Sequence, residues 1–139
     1  MIWTLSVKLV RGRYAEGPWQ ATIALDADST LEDLHHVIQQ AVDFDSDHLY
    51  ELFIARTEHS GDRIRFDDEN EELFTRTIES LFPLPKDRRL YYLFDYGDSW
   101  VFQVSRTRHR PYEAEAGGEY PRLIAEQGER PRQYPDYEE

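Results

Sequence analysis

The segment "LFDYGDSWVFQV" (residues 93–104) places two carboxylates and a glycine between two runs of aromatic and branched side chains. Apolar runs on both sides of a short polar turn are typical of a β-hairpin. With Gly97 and Asp98 as its two central residues, the turn belongs to a primed type, and Gly97 takes the positive φ that such a turn requires. The segment therefore predicts two paired strands joined by a two-residue turn.

The predicted turn also sets which side chains share a face. Counting outward from it places Asp95 opposite Trp100 and Leu93 opposite Phe102, with Asp95 at the rim of an apolar face. A carboxylate beside an indole needs a hydrogen-bond donor, such as a backbone amide, an arginine or a histidine. Asp98 is expected to serve the turn itself. A three-residue loop would move Asp95 to the other face of the sheet.

Two more strands are predicted near the start of the chain. Trp3, Leu5, Val7 and Leu9 alternate with polar residues, and residues 19–25 alternate in the same way. Alternation with a period of two indicates strands that bury one face. The glycine-containing segment between them predicts a hairpin.

Residues 26–44 change to the period of a helix. Leu31 and Ile38 fall on one apolar stripe, which predicts an amphipathic helix. Ser29 and Glu32 have the spacing of a capping box, in which each side chain satisfies a free amide of the first turn.

The middle of the chain is acidic and less regular. Aspartates at every second position over residues 43–47 imitate a calcium loop, but the glycine and glutamate that an EF-hand needs are missing from their positions, so we favour a polar turn. A strand over 49–56, a short edge strand in "RIRF" (63–66) and a helix over 71–82 are predicted to follow.

The charge of the chain argues against direct contact with nucleic acid. The net charge is −12, and residues 26–79 hold sixteen acidic but only four basic side chains. Such a surface repels the phosphate backbone that supplies most of the affinity in nucleic-acid binding. The most basic stretch, "RTRHR" (106–110), is expected to be the solvated edge of a strand.

Length and composition predict one soluble domain. A chain of 139 residues without cysteine is typical of a cytoplasmic protein that relies on apolar packing. No stretch approaches the ~20 apolar residues of a membrane span, so no membrane association is expected. We expect an α+β core over residues 1–110 and a Pro/Tyr-rich acidic extension over 111–139 that packs at least partly on it. "YPRLIAEQG" (120–128) is expected to form one or two helical turns.

Three segments resemble a known family. Residues 19–25, 30–52 and 92–104 are similar to the plasmid pRiA-type ORF-three-like family, also called the insertion-element passenger TnpR family. The shared features are a helix that begins T-L-x-x-L-H, an H-L pair before a strand, and a late aspartate-aromatic-glycine-aspartate motif that ends in tryptophan. The resemblance implies a single-domain α+β roll or sandwich, with a mixed or mainly antiparallel sheet and two or three helices packed on one face. It does not imply resolvase activity, because the chain shows no serine-recombinase nucleophile setting and no basic recombination domain.

The resemblance also singles out five positions as a candidate polar site: His35, His48, Asp95, Asp98 and Trp100. In one reading, a histidine meets the turn to bind a metal or a small anion. In the other, the histidine donates a hydrogen bond to Asp95 and fastens the turn to the helix. A catalytic metal would need three or more ligands and an open position. We favour the structural reading, expect no catalytic residue and no cofactor, and leave metal binding open.

The sequence thus predicts a non-catalytic binding or interaction module. Exposed tyrosines and prolines in an acidic surface suit a protein or a basic peptide as partner. The alternatives are a metal-dependent enzyme or ligand binder that uses the histidine and aspartate group, and an accessory factor that reaches nucleic acid through a partner. A monomer and a homodimer are both compatible with the chain.

Overall fold

Seven strands form one sheet in the computed structural model, which describes residues 1–135. In chain order they are Ile2–Arg11 (β1), Trp19–Asp26 (β2), Tyr50–Ala55 (β3), Ile64–Phe66 (β4), Arg89–Phe94 (β5), Trp100–Arg106 (β6) and Arg122–Gly128 (β7). The order across the sheet is β4-β3-β5-β6-β1-β2-β7, and all neighbouring strands are antiparallel. The expected mainly antiparallel sheet is confirmed. The last part of the expected extension, including Tyr137, lies outside the described residues.

One face of this sheet carries the main core. The predicted hairpin of β1 and β2 is confirmed, with Leu5 opposite Ile23 and both side chains fully buried. Alternate residues of β3, β5 and β6 add to the same apolar cluster. Because successive side chains of a strand point to opposite faces, the alternation in sequence becomes one continuous apolar layer.

The helix α1 (Leu31–Val42) buries its apolar stripe in this core. Its capping box is formed by Thr30 and Asp33, one residue later than predicted: the amide of Asp33 donates to Oγ1 of Thr30, and the amide of Thr30 donates to a carboxylate oxygen of Asp33. Ser29 belongs to the preceding turn instead, where its amide donates to the carbonyl of Asp26. The predicted helix and its capping box are therefore confirmed, but the box lies one residue later in the chain.

The helix predicted over 71–82 is wrong as a single element. The structure has a four-residue helix α2 (Glu72–Thr75) and a 3-10 turn (Glu79–Leu81), separated by extended backbone at Arg76. The break arises because Thr77 forms an antiparallel bridge with Thr30 at the start of α1. The described residues thus contain two helices, one of twelve residues and one of four. Within residues 1–135, no helix has the length and apolar character needed to span a bilayer.

The opposite face of the sheet has a smaller apolar patch that a loop covers. Phe53 and Tyr91 stack there with ring centroids 5.2 Å apart. The guanidinium of Arg63, from the loop between β3 and β4, lies 3.9 Å from the Phe53 ring. Nε of Arg63 donates to the carbonyl of Ser60 at 2.7 Å, which fixes the loop in place.

The chain after residue 111 adds an edge strand to the sheet. The helical turns expected in 120–128 are wrong, because this segment forms β7 and pairs with β2. Gly128 ends the strand with a φ of 87°, and a side chain there would collide with the carbonyl oxygen of Pro18. The chain then continues to Gln133, whose side chain is buried against the polar turn at Asp45.

Candidate functional site

The turn between β5 and β6 has five residues, not the two that were predicted. Phe94 pairs with Trp100 and Tyr92 with Phe102, which is one residue away from the predicted register. The core face of β5 therefore carries Tyr92 and Phe94. Asp95 lies beyond the last strand pair and not opposite Trp100.

Asp95 itself shapes this turn. The left-handed φ values fall on Asp95 (61°) and Ser99 (52°), not on Gly97 as predicted. Oδ1 of Asp95 accepts hydrogen bonds from the amides of Gly97 at 3.1 Å and Asp98 at 3.3 Å. Aspartate favours this geometry because its short side chain can bond to the backbone two residues ahead. The carboxylate, only 6% exposed, thus finds two of its donors inside the turn.

His48 reaches the same carboxylate from just before the start of β3. Its Nε2 lies 3.4 Å from Oδ2 of Asp95 and 2.8 Å from the hydroxyl oxygen of Tyr134. The Tyr134 hydroxyl donates its proton to Oδ2 of Asp47 at 2.8 Å. Because a tyrosine has one hydroxyl proton, the oxygen of Tyr134 accepts from His48, and Nε2 carries a proton. His48 therefore donates to Tyr134, and its contact with Asp95 at 3.4 Å is a close approach of Nε2 to the carboxylate.

The electrostatics around Tyr134 keep its phenol protonated and Asp47 ionised. Burial raises the pKa of Tyr134 to about 12, and the hydrogen bond to Asp47 and the charges of Asp47, Asp95 and Asp98 act in the same direction. Burial also opposes ionisation of Asp47, but the hydrogen bonds from Tyr134 and Gln133 outweigh it and lower the pKa of Asp47. At neutral pH the phenol is a donor and Asp47 is an ionised acceptor.

Asp98 joins the turn to the loop between β1 and β2. The backbone amide of Arg13 donates to the carbonyl of Asp98 at 2.9 Å. Nη1 of Arg13 also lies 3.6 Å from Oδ1 of Asp98. Asp98 therefore serves the turn, as the sequence predicts, and adds a contact between two loops.

Trp100 is a core residue with no exposed surface. Its ring packs edge-on against Phe44 with centroids 4.9 Å apart. Gly12 lies against the other side of the indole, so close that an added Cβ would stand 2.2 Å from Cε3 of Trp100. Nε1 of Trp100 has no hydrogen-bond partner among the described residues.

His35 occupies a separate, buried position. Its ring stacks on Tyr50 with centroids 3.6 Å apart, and Nδ1 lies 2.5 Å from the hydroxyl oxygen of Tyr92. Nε2 of Gln39 donates to the same hydroxyl oxygen at 3.0 Å, so the Tyr92 proton goes to His35. Burial, with a smaller contribution from His36, lowers the pKa of His35 to about 4. His35 is neutral at physiological pH and accepts a hydrogen bond.

The structure thus brings only some of the five predicted positions together. His48 meets Asp95, with Asp98 in the same turn, whereas Phe94 lies between His48 and His35, with ring centroids 6.0 Å and 6.3 Å away. Within residues 1–135, no three histidine, aspartate or glutamate side chains come close enough together to hold a metal ion. An imidazole beside a carboxylate is able to transfer protons, but Nε2 of His48 already forms a hydrogen bond with Tyr134.

Sequence reasoning missed the contribution of the C-terminal segment. Tyr134 and Gln133 contact the polar turn from 86 or more positions away in the chain. Gln133 accepts from the amide of Asp45 at 2.6 Å and donates to Oδ1 of Asp47 at 3.0 Å. The signals were the tyrosines and aliphatic residues of the tail, which favoured packing on the core but do not identify their partners.

A second feature is an open groove at the other end of the sheet. Its volume is about 580 Å³, and it is lined by Trp3, Glu79, Phe82, Pro83, Leu84 and Arg106. The guanidinium of Arg106 lies 3.7 Å from the Trp3 ring, and Phe82 contacts the same ring edge-on. We call this the Trp3 groove.

Comparison with known proteins supports the fold and the family. The crystal structure of a protein of unknown function from Methanosarcina mazei Go1 is similar, with a TM-score of 0.71 and 21% sequence identity over 90% of this chain and 68% of that chain. At this identity the likeness concerns the fold alone. The search of curated proteins found no match. The sequence profile of the family described as plasmid pRiA4b ORF-3-like protein matches residues 4–134. The chain therefore belongs to the plasmid pRiA4b ORF-3-like protein family.

Proposed function

We propose that the protein is a non-catalytic interaction module that binds a polypeptide partner in the Trp3 groove. The observation that carries this proposal is the groove itself, where Trp3, Phe82 and Leu84 line one open surface and remain half-buried. Concave surfaces with apolar walls and a few polar groups are typical binding sites. Arg106 and Glu79 supply the polar groups here.

The contacts around His48 support the non-catalytic part of the proposal. A general base must reach a proton of its substrate, directly or through one water. The proton on Nε2 of His48 goes to Tyr134, Asp95 lies 3.4 Å from the same nitrogen, and Oδ1 of Asp95 accepts two backbone amides. The hydrogen bonds of His48 and Asp95 are therefore those expected of side chains with a structural role.

Two further parts of the proposal rest on composition. A net charge of −12 disfavours extended contact with a phosphate backbone, so we propose a protein as the partner. The absence of cysteine suits a reducing compartment, and we propose a cytoplasmic location.

Selection from a displayed library of random peptides tests the proposal. Leu84→Glu places a charge in the groove, and Ile124→Glu is a matched control on β7, where Ile124 is exposed. Far-UV circular dichroism and thermal unfolding first establish that both variants fold. The expected result is a set of peptides that bind the wild type and the Ile124→Glu protein but not the Leu84→Glu protein. The proposal is contradicted if no peptide distinguishes the wild type from Leu84→Glu.

A further inference from the structure

Strand pairing gathers a group of basic side chains at one end of the sheet. Leu90 of β5 pairs with Val104 of β6, so residues 86–89 before that pair and residues 106–110 after it lie at the same end. These segments carry six cationic side chains and one carboxylate, Asp87. We call the six the cationic end: Lys86, Arg88, Arg89, Arg106, Arg108 and Arg110.

The cationic end lacks carboxylate partners. In the part of the chain that the structure describes, none of its six side chains forms an ion pair. Six other arginines do form them: Arg11, Arg13, Arg65, Arg76, Arg122 and Arg130. Acidic side chains outnumber basic ones by 28 to 16, so the unpaired cations do not reflect a shortage of carboxylates. They leave a local positive potential on an acidic protein.

Many acidic side chains collect at the opposite end of the sheet. The turn after β5 holds Asp95 and Asp98, and Asp67 and Asp68 follow β4 at the same end. Burial, together with the nearby acids Glu51, Asp68 and Asp67, raises the pKa of Tyr96 to about 12. Asp26 and Asp28, at and after the end of β2, lie at the same end of the sheet as the cationic end, so that end combines carboxylates with its six unpaired cations.

The Trp3 groove opens beside the cationic end. Arg106 belongs to both, since it lines the groove and covers a face of the Trp3 ring. Leu84, which also lines the groove, precedes Lys86 by two residues. An occupant of the groove would thus have unpaired cations within reach of its flanks.

We propose that the Trp3 groove takes an acidic polypeptide segment, with an apolar side chain in the groove and carboxylates on the cationic end. This inference rests on the proposed function and names the partner of that same site. Five of the six cations are arginines, whose planar guanidinium groups bind carboxylates in a bidentate manner. The total charge of the chain favours a basic peptide, whereas the six unpaired cations beside the groove favour carboxylates. In the lining of the groove itself, Glu79 balances Arg106.

A nucleic-acid strand fits the same surface less well. Binding of single strands draws on aromatic faces that stack with bases. Arg106 already covers a face of Trp3, and Phe82 contacts the ring edge-on. The acidic end of the sheet would also repel a longer phosphate backbone.

Fluorescence anisotropy with designed probes tests the inference. Three peptides share a central Phe-Leu pair and differ in their flanks, which are glutamate, serine or lysine, and a single-stranded oligothymidine is the fourth probe. The double variant Arg108→Glu/Arg110→Glu reverses charge in the cationic end. Lys8→Glu/Arg132→Glu is the matched control, because both residues are exposed and outside that end.

The glutamate peptide is expected to bind the wild type at least ~10-fold more tightly than the lysine peptide. The Arg108→Glu/Arg110→Glu variant should lose this preference, and the control variant should keep it. If all three peptides bind equally and Leu84→Glu abolishes their binding, the inference is overturned but the proposed function stands. Absence of binding by the glutamate peptide, or tighter binding by oligothymidine, also overturns it. If the glutamate peptide is preferred and Leu84→Glu does not weaken its binding, the contacts with the cationic end are supported, but the groove is contradicted as the binding site.

Discussion

Nε2 of His48 lies 3.4 Å from Oδ2 of Asp95, and this contact joins the entrance of β3 to the turn after β5. The other carboxylate oxygen of Asp95 holds the amides of Gly97 and Asp98. One side chain therefore both shapes the turn and fastens it to the neighbouring strand. The family motif around Asp95 has a structural explanation in this geometry.

Gly12→Ala is expected to destabilise the protein because its Cβ would stand 2.2 Å from the buried ring of Trp100. Overpacking of this kind costs about 1–3 kcal/mol of unfolding free energy. Chemical denaturation followed by tryptophan fluorescence measures it. Gly61→Ala is the control, since nothing lies within 4 Å of an added Cβ there. Equal stability of the two variants would contradict the described packing of Trp100.

His35 gives the protein a predictable loss of stability in acid. Burial, assisted by His36, lowers the pKa of His35 to about 4 from an ordinary value of 6.5. Between these values the unfolded chain binds more protons than the folded one, so the free energy of unfolding falls as the pH is lowered from 6.5 to 4. The full loss is on the order of 3 kcal/mol.

Denaturation over a series of pH values in this range measures the effect. His35→Gln should be less stable at neutral pH but should show a flatter pH dependence than the wild type. His36→Gln, at an exposed position, should keep most of the slope. If His35→Gln retains the wild-type slope, the buried neutral imidazole is not its source.

Alternation and amphipathic period are local properties, and this is why they predicted β1, β2 and α1. Their buried positions follow from side-chain direction alone. The turn register was not predictable in the same way. Aspartate competes with glycine for left-handed backbone, and the sequence does not show that Asp95 takes it in place of Gly97.

Long-range contacts account for the other errors. The helix expected over 71–82 is interrupted by the bridge between Thr77 and Thr30. β7 forms because β2 offers an unpaired edge, and its own sequence has no clear period. Of the candidate site, the pairing of a histidine with Asp95 was predictable. The contact of Tyr134 with His48 was not, because it joins residues 86 positions apart.

Gln133→Ala should release the C-terminal segment from the polar turn. The variant removes the acceptor of the Asp45 amide and a donor to Asp47. The loss of these partly buried bonds is expected to cost about 1–2 kcal/mol. Hydrogen exchange at the Asp45 amide should become faster, whereas Gln127→Ala, exposed on β7, should leave it unchanged. An unchanged Asp45 exchange rate in Gln133→Ala would contradict this attachment.

Metal analysis separates the structural account from a metal-dependent one. Protein produced with zinc and manganese in the medium should contain neither in stoichiometric amount, because residues 1–135 assemble no three-ligand group. Elemental mass spectrometry and thermal unfolding with and without a chelator measure this. A stoichiometric metal in the wild type that the Asp95→Asn variant lacks would contradict the structural role of Asp95 and support a metal site.

A double-mutant cycle on His48 and Asp95 tests the central claim most directly. His48→Gln and Asp95→Asn each remove one partner, and asparagine still accepts the left-handed φ of that position. The structural account predicts that each single variant loses about 1–2 kcal/mol of unfolding free energy and that the pair is coupled by at least ~0.5 kcal/mol. Single variants with wild-type stability and no coupling would mean that the two groups are free to serve a ligand, which contradicts the account.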